Sequence, residues 1–189
     1  LEFRTLLSRV LGSARPATPK PQPAPMGDLF AQLEEREEVE TPDVSTLPKL
    51  SIEVLDRSSL PAFVARALEA KTLALDTETT GIDPLTAGLV AITFALDAEK
   101  TYYLDVPADA EQARSLLQEL RPLLAREGLL KIGQNLKYDL QVLRSYGVEV
   151  AGPFFDTMIA HYLLYPDMRH GLDELAEKFL GYRMMPFEE

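Results

Sequence analysis

The 189-residue sequence contains no cysteine, which excludes disulfides, thiolate metal sites and cysteine nucleophiles. Histidine is almost as scarce. The two present, His161 and His170, have no metal-ligand partner at a useful spacing and read as packing or surface residues. No apolar run is long enough to span a bilayer, and no signal-peptide pattern is present. Positive charge is also in short supply. Lys and Arg number 19 against 30 Asp and Glu, a net charge of −11, which argues against a protein that coats nucleic acid. It leaves room for an enzyme that grips a few nucleotides through metal ions and local basic side chains, with a neighbouring domain supplying the remaining affinity. There is no internal repeat. What is present is ordinary: a hydrophobic fraction of 46%, typical of globular proteins, on a chain long enough for one full domain plus extra. The composition fits a soluble intracellular protein.

Half of the 14 prolines fall in the first 48 residues. Ser13–Pro25 is rich in Pro and Ala, and Glu34–Glu40 is an acidic run. Neither can build a core, so residues 12–48 read as a Pro/Ala/Glu-rich linker, with a short amphipathic patch at Asp28–Leu33. Ahead of it, Leu1–Val10 has helical apolar spacing and no initiator Met, so residues 1–11 read as the tail of something longer.

The folded part is expected over residues 49–189. Ser51–Leu55 alternates like an edge strand. A helix follows, with Ser58 or Ser59 as cap and Pro61 in its first turn. Strands at Leu73–Thr77, Gly88–Leu96 and Thr101–Val106 have short connections, which predicts an antiparallel meander. Asp109–Arg126 is a helix capped by Asp109, and Leu129–Gly133 a strand. Asn135 then caps a helix to Tyr146, ended by Gly147. Asp156 caps another to Leu164, and a last helix spans Gly171–Leu180. The fold class is therefore α/β: an RNase H-like mixed sheet, a three-strand antiparallel meander plus parallel strands, flanked by helices.

The most informative feature is Thr72-Leu-Ala-Leu-Asp76-Thr-Glu78-Thr-Thr-Gly81. Side chains at i and i+2 of a strand share a face, so Asp76 and Glu78 stand side by side. Their repulsion is relieved by a cation between them. An Asp-x-Glu at a strand end can also simply solvate a turn. Two things weigh against that here: the carboxylates emerge directly from a core strand, and a second apolar strand runs into the polar cluster Gln134-Asn-Leu-Lys-Tyr-Asp139. Asn135 and Asp139, four apart, share a helix face, and neighbouring strand ends of an open α/β sheet converge on one crevice. Three carboxylates there suit two Mg²⁺ or Mn²⁺ ions and phosphodiester hydrolysis. On its own, Asp139 could equally be a first-turn residue favoured by the helix dipole, and Asn135 a plain cap.

Leu75-Asp-Thr-Glu-Thr-Thr-Gly81 resembles the first motif of the DnaQ-like (DEDD) 3′–5′ exonucleases. Lys131-Ile-Gly-Gln-Asn-Leu-Lys-Tyr-Asp139 is similar to their second motif, in the form carried by the proofreading domain of bacterial family A DNA polymerases. Phe155-Asp-Thr-Met, Arg169-His-Gly-Leu-Asp-Glu-Leu-Ala176 and the closing Phe187-Glu-Glu are similar too. The resemblance implies roles. Asp76 would bridge two Mg²⁺ or Mn²⁺ ions. Glu78 would hold the tighter ion and orient the attacking water, and Asp139 would hold the second. Gln134, Asn135 and Tyr138 would contact the terminal nucleotides, Ile82 would wedge against the 3′-terminal bases, and Arg169 would touch the single-stranded end. Each has a plainer alternative: Ile82 a turn-flanking core residue, Tyr138 a packed aromatic, Arg169 a solvated charge. The implied substrate is the 3′ end of single-stranded or frayed DNA. The implied partners are polymerase and 5′-nuclease domains in the same parent chain, with residues 1–11 as the tail of the latter. The implied location is the bacterial cytoplasm, at the nucleoid, with no membrane partner.

The family also needs a fourth carboxylate, in a Tyr-x-x-x-Asp motif, and the sequence has none. Tyr162-Leu-Leu-Tyr-Pro-Asp167 is one residue too long and is interrupted by Pro166. The expectation is a domain truncated before its third motif, weak or inactive alone. Two competitors remain: a catalytically silent scaffold of the same polymerase, and an RNase D-like 3′–5′ exoribonuclease on the same core.

Overall fold

The computed structural model describes residues 51–184. The expected tail, linker and amphipathic patch before Leu50, and the Phe187-Glu-Glu ending, lie outside the described residues. Within them the order is β1 (Ser51–Leu55), α1 (Leu60–Leu68), β2 (Thr72–Thr79), β3 (Leu89–Ala95), β4 (Lys100–Asp105), α2 (Ala110–Leu124), β5 (Leu130–Gly133), α3 (Leu136–Ser145), β6 (Phe154–Asp156), α4 (Thr157–Leu164) and α5 (Leu172–Leu180). Among the described residues no helix is long and apolar enough to cross a membrane.

The strands form one six-stranded sheet in the order β1-β4-β3-β2-β5-β6. β2, β3 and β4 are antiparallel neighbours, as their short connections predict. β1 runs parallel to β4, β5 to β2, and β6 to β5; α3 is the crossover from β5 to β6, α1 links β1 to β2 and α2 links β4 to β5. This is the expected mixed sheet, with β1 on an edge.

One face carries the core. Register aligns Leu75, Phe94 and Tyr102 across three strands, and Thr77, Ile92 and Leu104 beside them. The Phe63 ring of α1 lies 5.3 Å from Phe94 and 4.7 Å from Tyr102. α2 packs against α1 and buries Leu116, Leu117, Leu120, Leu123 and Leu124. Alternation sends Asp76, Thr93, Tyr103 and Val54 to the opposite, more open face, with Glu78, Ala91 and Asp105 in the next row.

Local chemistry explains the helix starts, with two corrections. Asp109 caps α2 by accepting from Gln112 N, as expected. The serines before α1 do not cap it. Asp56 Oδ1 accepts from Ser58 N, Ser59 N and both hydroxyls instead, so the hydroxyls are drawn back to the preceding turn as donors to a charged acceptor rather than forward to the helix amides. Asn135 occupies the residue before α3, but its side chain makes no capping bond. Its backbone is left-handed, φ 62° and ψ 40°, and it is the only described non-glycine residue with positive φ. Asn tolerates that conformation better than most residues.

Candidate active site

The site lies where β5 stops. β5 pairs with β2 only over Thr72–Ala74, so the edge of β2 beyond Ala74 has no strand beside it. The first turn of α3 takes that place. Asp139 Oδ1 accepts from Thr77 N at 2.9 Å and from Thr77 Oγ1 at 2.6 Å, satisfying the amide that a longer β5 would have met. Asp139 is only 3% exposed. Close approach here needs Gly133: a Cβ at that position would meet Leu75 O at 2.9 Å and Leu136 Cδ2 at 2.5 Å.

Asp76 and Glu78 share the open face and are exposed. Asp76 is nevertheless crowded by neighbouring protein and by like charge. Desolvation first, then Asp139, then Glu78, pushes its carboxyl from 3.8 up to about 6. Burial also pushes Asp139 upward; the two Thr77 bonds oppose that shift, and the Asp156 charge adds to it. Among the described residues no Lys or Arg forms an ion pair with these three carboxylates. Among the described residues no three His, Cys, Asp or Glu side chains converge closely enough to hold a metal ion as they stand. The three carboxylates are within electrostatic reach of one another, with Asp139 turned toward Thr77. Their donor chemistry, all hard oxygen with no sulfur or imidazole, fits Mg²⁺ or Mn²⁺.

The other expected site residues fall in different surroundings. Tyr138 is half-buried, and its hydroxyl meets Thr79 Oγ1 at 2.6 Å and donates to Gly81 O. Ile82 is 97% exposed, so it is not a core residue. Its loop is closed by Thr80 N donating to Gly88 O and Gly88 N donating to Thr80 Oγ1. The Gln134 amide is engaged within the protein. Its Nε2 donates to His170 O at 2.7 Å and its Oε1 accepts from Thr157 Oγ1, so it ties the β5–α3 turn to α4 and to the chain before α5. Asn135 Oδ1 accepts from Lys137 Nζ. Arg169 is exposed and pairs with Glu174 at 3.4 Å.

Two side chains that matter here were not expected in these roles. Thr77 looks like a spacer between the two acids, and its partner is distant in sequence. Asp156 caps α4 by accepting from Met158 N and Ile159 N, as predicted. It also accepts from Asn135 N at 3.1 Å and Leu136 N at 2.8 Å, so one carboxylate caps two helices. The histidines are buried, as the packing alternative has it, with Nδ1 atoms 2.6 Å apart.

Residues 52–188 match the family model described as 3′-5′ exonuclease. DNA polymerase I of Pseudomonas aeruginosa is 37% identical over 146 residues, covering 72% of this chain and 16% of the relative. DNA polymerase I of Borreliella burgdorferi is 30% identical over 153 residues, covering 78% of this chain and 17% of the relative. The chain thus spans about a sixth of the length of these relatives. Among solved structures, the catalytic core of RRP6 from Trypanosoma brucei matches with TM-score 0.60 at 20% identity, covering 82% of this chain and 41% of that one. Brucella melitensis NrnC with bound Mg²⁺ matches with TM-score 0.56 at 23% identity, covering 74% of this chain and 65% of that one. Escherichia coli RNase D, an exoribonuclease, matches with TM-score 0.57 at 19% identity, covering 71% of this chain and 35% of that one. These three likenesses establish the shared fold. The family match over most of the chain and the DNA polymerase I relatives carry the conclusion that the chain belongs to the 3′–5′ exonuclease family, in the branch found in DNA polymerase I.

Proposed function

We propose that this domain removes nucleotides from the 3′ end of single-stranded or frayed DNA, with Asp76, Glu78 and Asp139 holding two divalent cations. The observation that carries the reading is the crowding of charge at Asp76, raised to about 6 by burial and by its two carboxylate neighbours. Such a site favours a cation over three free carboxylates. Two Mg²⁺ or Mn²⁺ ions held by Asp76, Glu78 and Asp139 would supply an activated water as nucleophile and counter-charge for the leaving oxygen.

The chain's own residues do the rest. Asp76 and Glu78, on one face of β2, hold the ions at the open side of the sheet. Asp139 closes the site from α3. Tyr138 and Asn135, on the same turn, stand toward the terminal nucleotide. Ile82, apolar and exposed at its loop, stacks against a splayed base, which favours unpaired ends. Arg169 exchanges Glu174 for a phosphate. Gln134 acts by fixing the turn that carries Asn135. In a parent chain the neighbours would be a 5′-nuclease domain before the linker over residues 12–48 and a polymerase domain after, working in the cytoplasm at the nucleoid. DNA polymerase I relatives several times longer than the matched segment support that arrangement.

The sequence holds no Tyr-x-x-x-Asp, so the 189-residue chain should turn over weakly or not at all. The test is release of nucleotides from 3′-labelled single-stranded DNA in Mg²⁺, with the matched RNA alongside. A longer chain that includes the motif should be active and prefer DNA, and Asp76→Ala should abolish its activity. Equal rates for the short and long chains would refute the need for a fourth carboxylate. Preference for RNA would move the domain to the ribonuclease reading, since only the 2′-OH differs.

A further inference from the structure

Thr77 sits between the two acids of the first motif, and alternation turns its side chain away from theirs. It is buried. Both of its donors, N–H and hydroxyl, go to one atom, Asp139 Oδ1, at 2.9 and 2.6 Å. Two donors from one rigid, β-branched residue on one carboxylate oxygen fix both the position and the rotation of the carboxyl group. Oδ1 is committed to the strand, so Oδ2 is the oxygen a ligand would take. The spacing from Asp139 to Asp76 and Glu78 is then set by the strand itself, because the residue that holds the third acid lies between the other two.

We propose that Thr77 is a positioning residue that orients Asp139 for metal binding. The proposal rests on the carboxylate–metal reading above. Thr77 touches neither substrate nor ion in this scheme; it acts through Asp139 alone. A purely structural Thr77 would serve stability and leave metal affinity untouched, and that difference makes the two roles separable.

The experiment is Mn²⁺ titration of the 189-residue chain, following free Mn²⁺ by electron paramagnetic resonance, with urea unfolding of each variant in parallel. Thr77→Val keeps shape and N–H but deletes the hydroxyl. It should weaken Mn²⁺ binding by roughly tenfold, the effect of one lost hydrogen bond to a charged group. Thr77→Ser, which restores the hydroxyl, should bind within about twofold of the parent. Should the valine variant fold poorly, Thr77→Cys takes its place, since a thiol donates only weakly and no other cysteine is present. Unchanged Mn²⁺ affinity in a folded valine or cysteine variant overturns the proposal while the metal reading stands. Asp76→Ala separates the two: if it too binds Mn²⁺ as the parent does, the metal reading fails and the Thr77 role falls with it.

Discussion

Replacing Asp156 with Ala removes the acceptor for four backbone amides: Asn135, Leu136, Met158 and Ile159. Two of these open α3 and two open α4, so the change deletes two caps at once. One cap is worth typically about 1 kcal/mol and up to about 2. The pair should therefore cost about 2–3 kcal/mol, because the amides at the left-handed turn are partly buried and lose their partner outright. Asp156→Asn is the informative companion. With its carbonyl in place of Oδ1 it still serves Asn135, Met158 and Ile159, while its NH₂ faces only the Leu136 amide. It should lose well under half as much. Urea unfolding gives the stability, and amide exchange at Leu136 and Met158 locates it. If Asp156→Ala unfolds within about 0.5 kcal/mol of the parent, or frees the amides of only one helix, the double cap is not what holds the turn. The functional corollary is direct. Asn135, Tyr138 and Asp139 ride on this helix start, so Mn²⁺ affinity should fall along with stability.

Asp76 gives a pH signature in the metal-free chain. Its folded-state value, about 6, lies above its ordinary 3.8, so stability is greatest below 3.8 and is lost as pH rises through about 6. The full shift would correspond to about 3 kcal/mol, but Asp76 is exposed and screened, so Asp76→Asn should stabilise the chelated protein by about 1 kcal/mol at pH 7 and leave it unchanged at pH 3. Saturating Mn²⁺ should reverse the order of the two proteins in a thermal melt. His161 runs the other way. Burial first, then His170, lowers it from 6.5, so stability present above 6.5 should be lost on acidification, and His161→Phe should flatten that loss in a pH series of urea midpoints. Gly133→Ala places a methyl against Leu75 O and Leu136. Because backbone cannot yield cheaply, it should destabilise by about 1–3 kcal/mol and weaken Mn²⁺ binding, measured as above.

The strand meander, the mixed sheet and the shared strand face of Asp76 and Glu78 were legible in the sequence because each depends on neighbours close in the chain: alternation, turn residues and connection length. The rest turned on which partners the polar side chains take. Ser59 looked like a cap, but a carboxylate three residues earlier draws its hydroxyl back. Asn135 looked like a cap, yet its amide is held by Asp156, and the left-handed backbone it adopts leaves its side chain to Lys137. Thr77 drew no reading from the sequence because its partner, Asp139, lies far along the chain. Gln134 looked free for substrate until α4 and the residues before α5 folded against it. Local patterns name the elements; which partner a polar side chain takes depends on competitors both nearby and brought in by the folded sheet.

Ile82 stands in water on a loop that cannot collapse to shelter it. Thr80 and Gly88 lace its base, and Asp83 holds its turn through Leu85 N and Thr86 Oγ1. Covering such a side chain fully is worth about 1.5–3 kcal/mol. The fold leaves that gain unrealised, so whichever flat apolar surface first settles there collects it without any rearrangement of the loop.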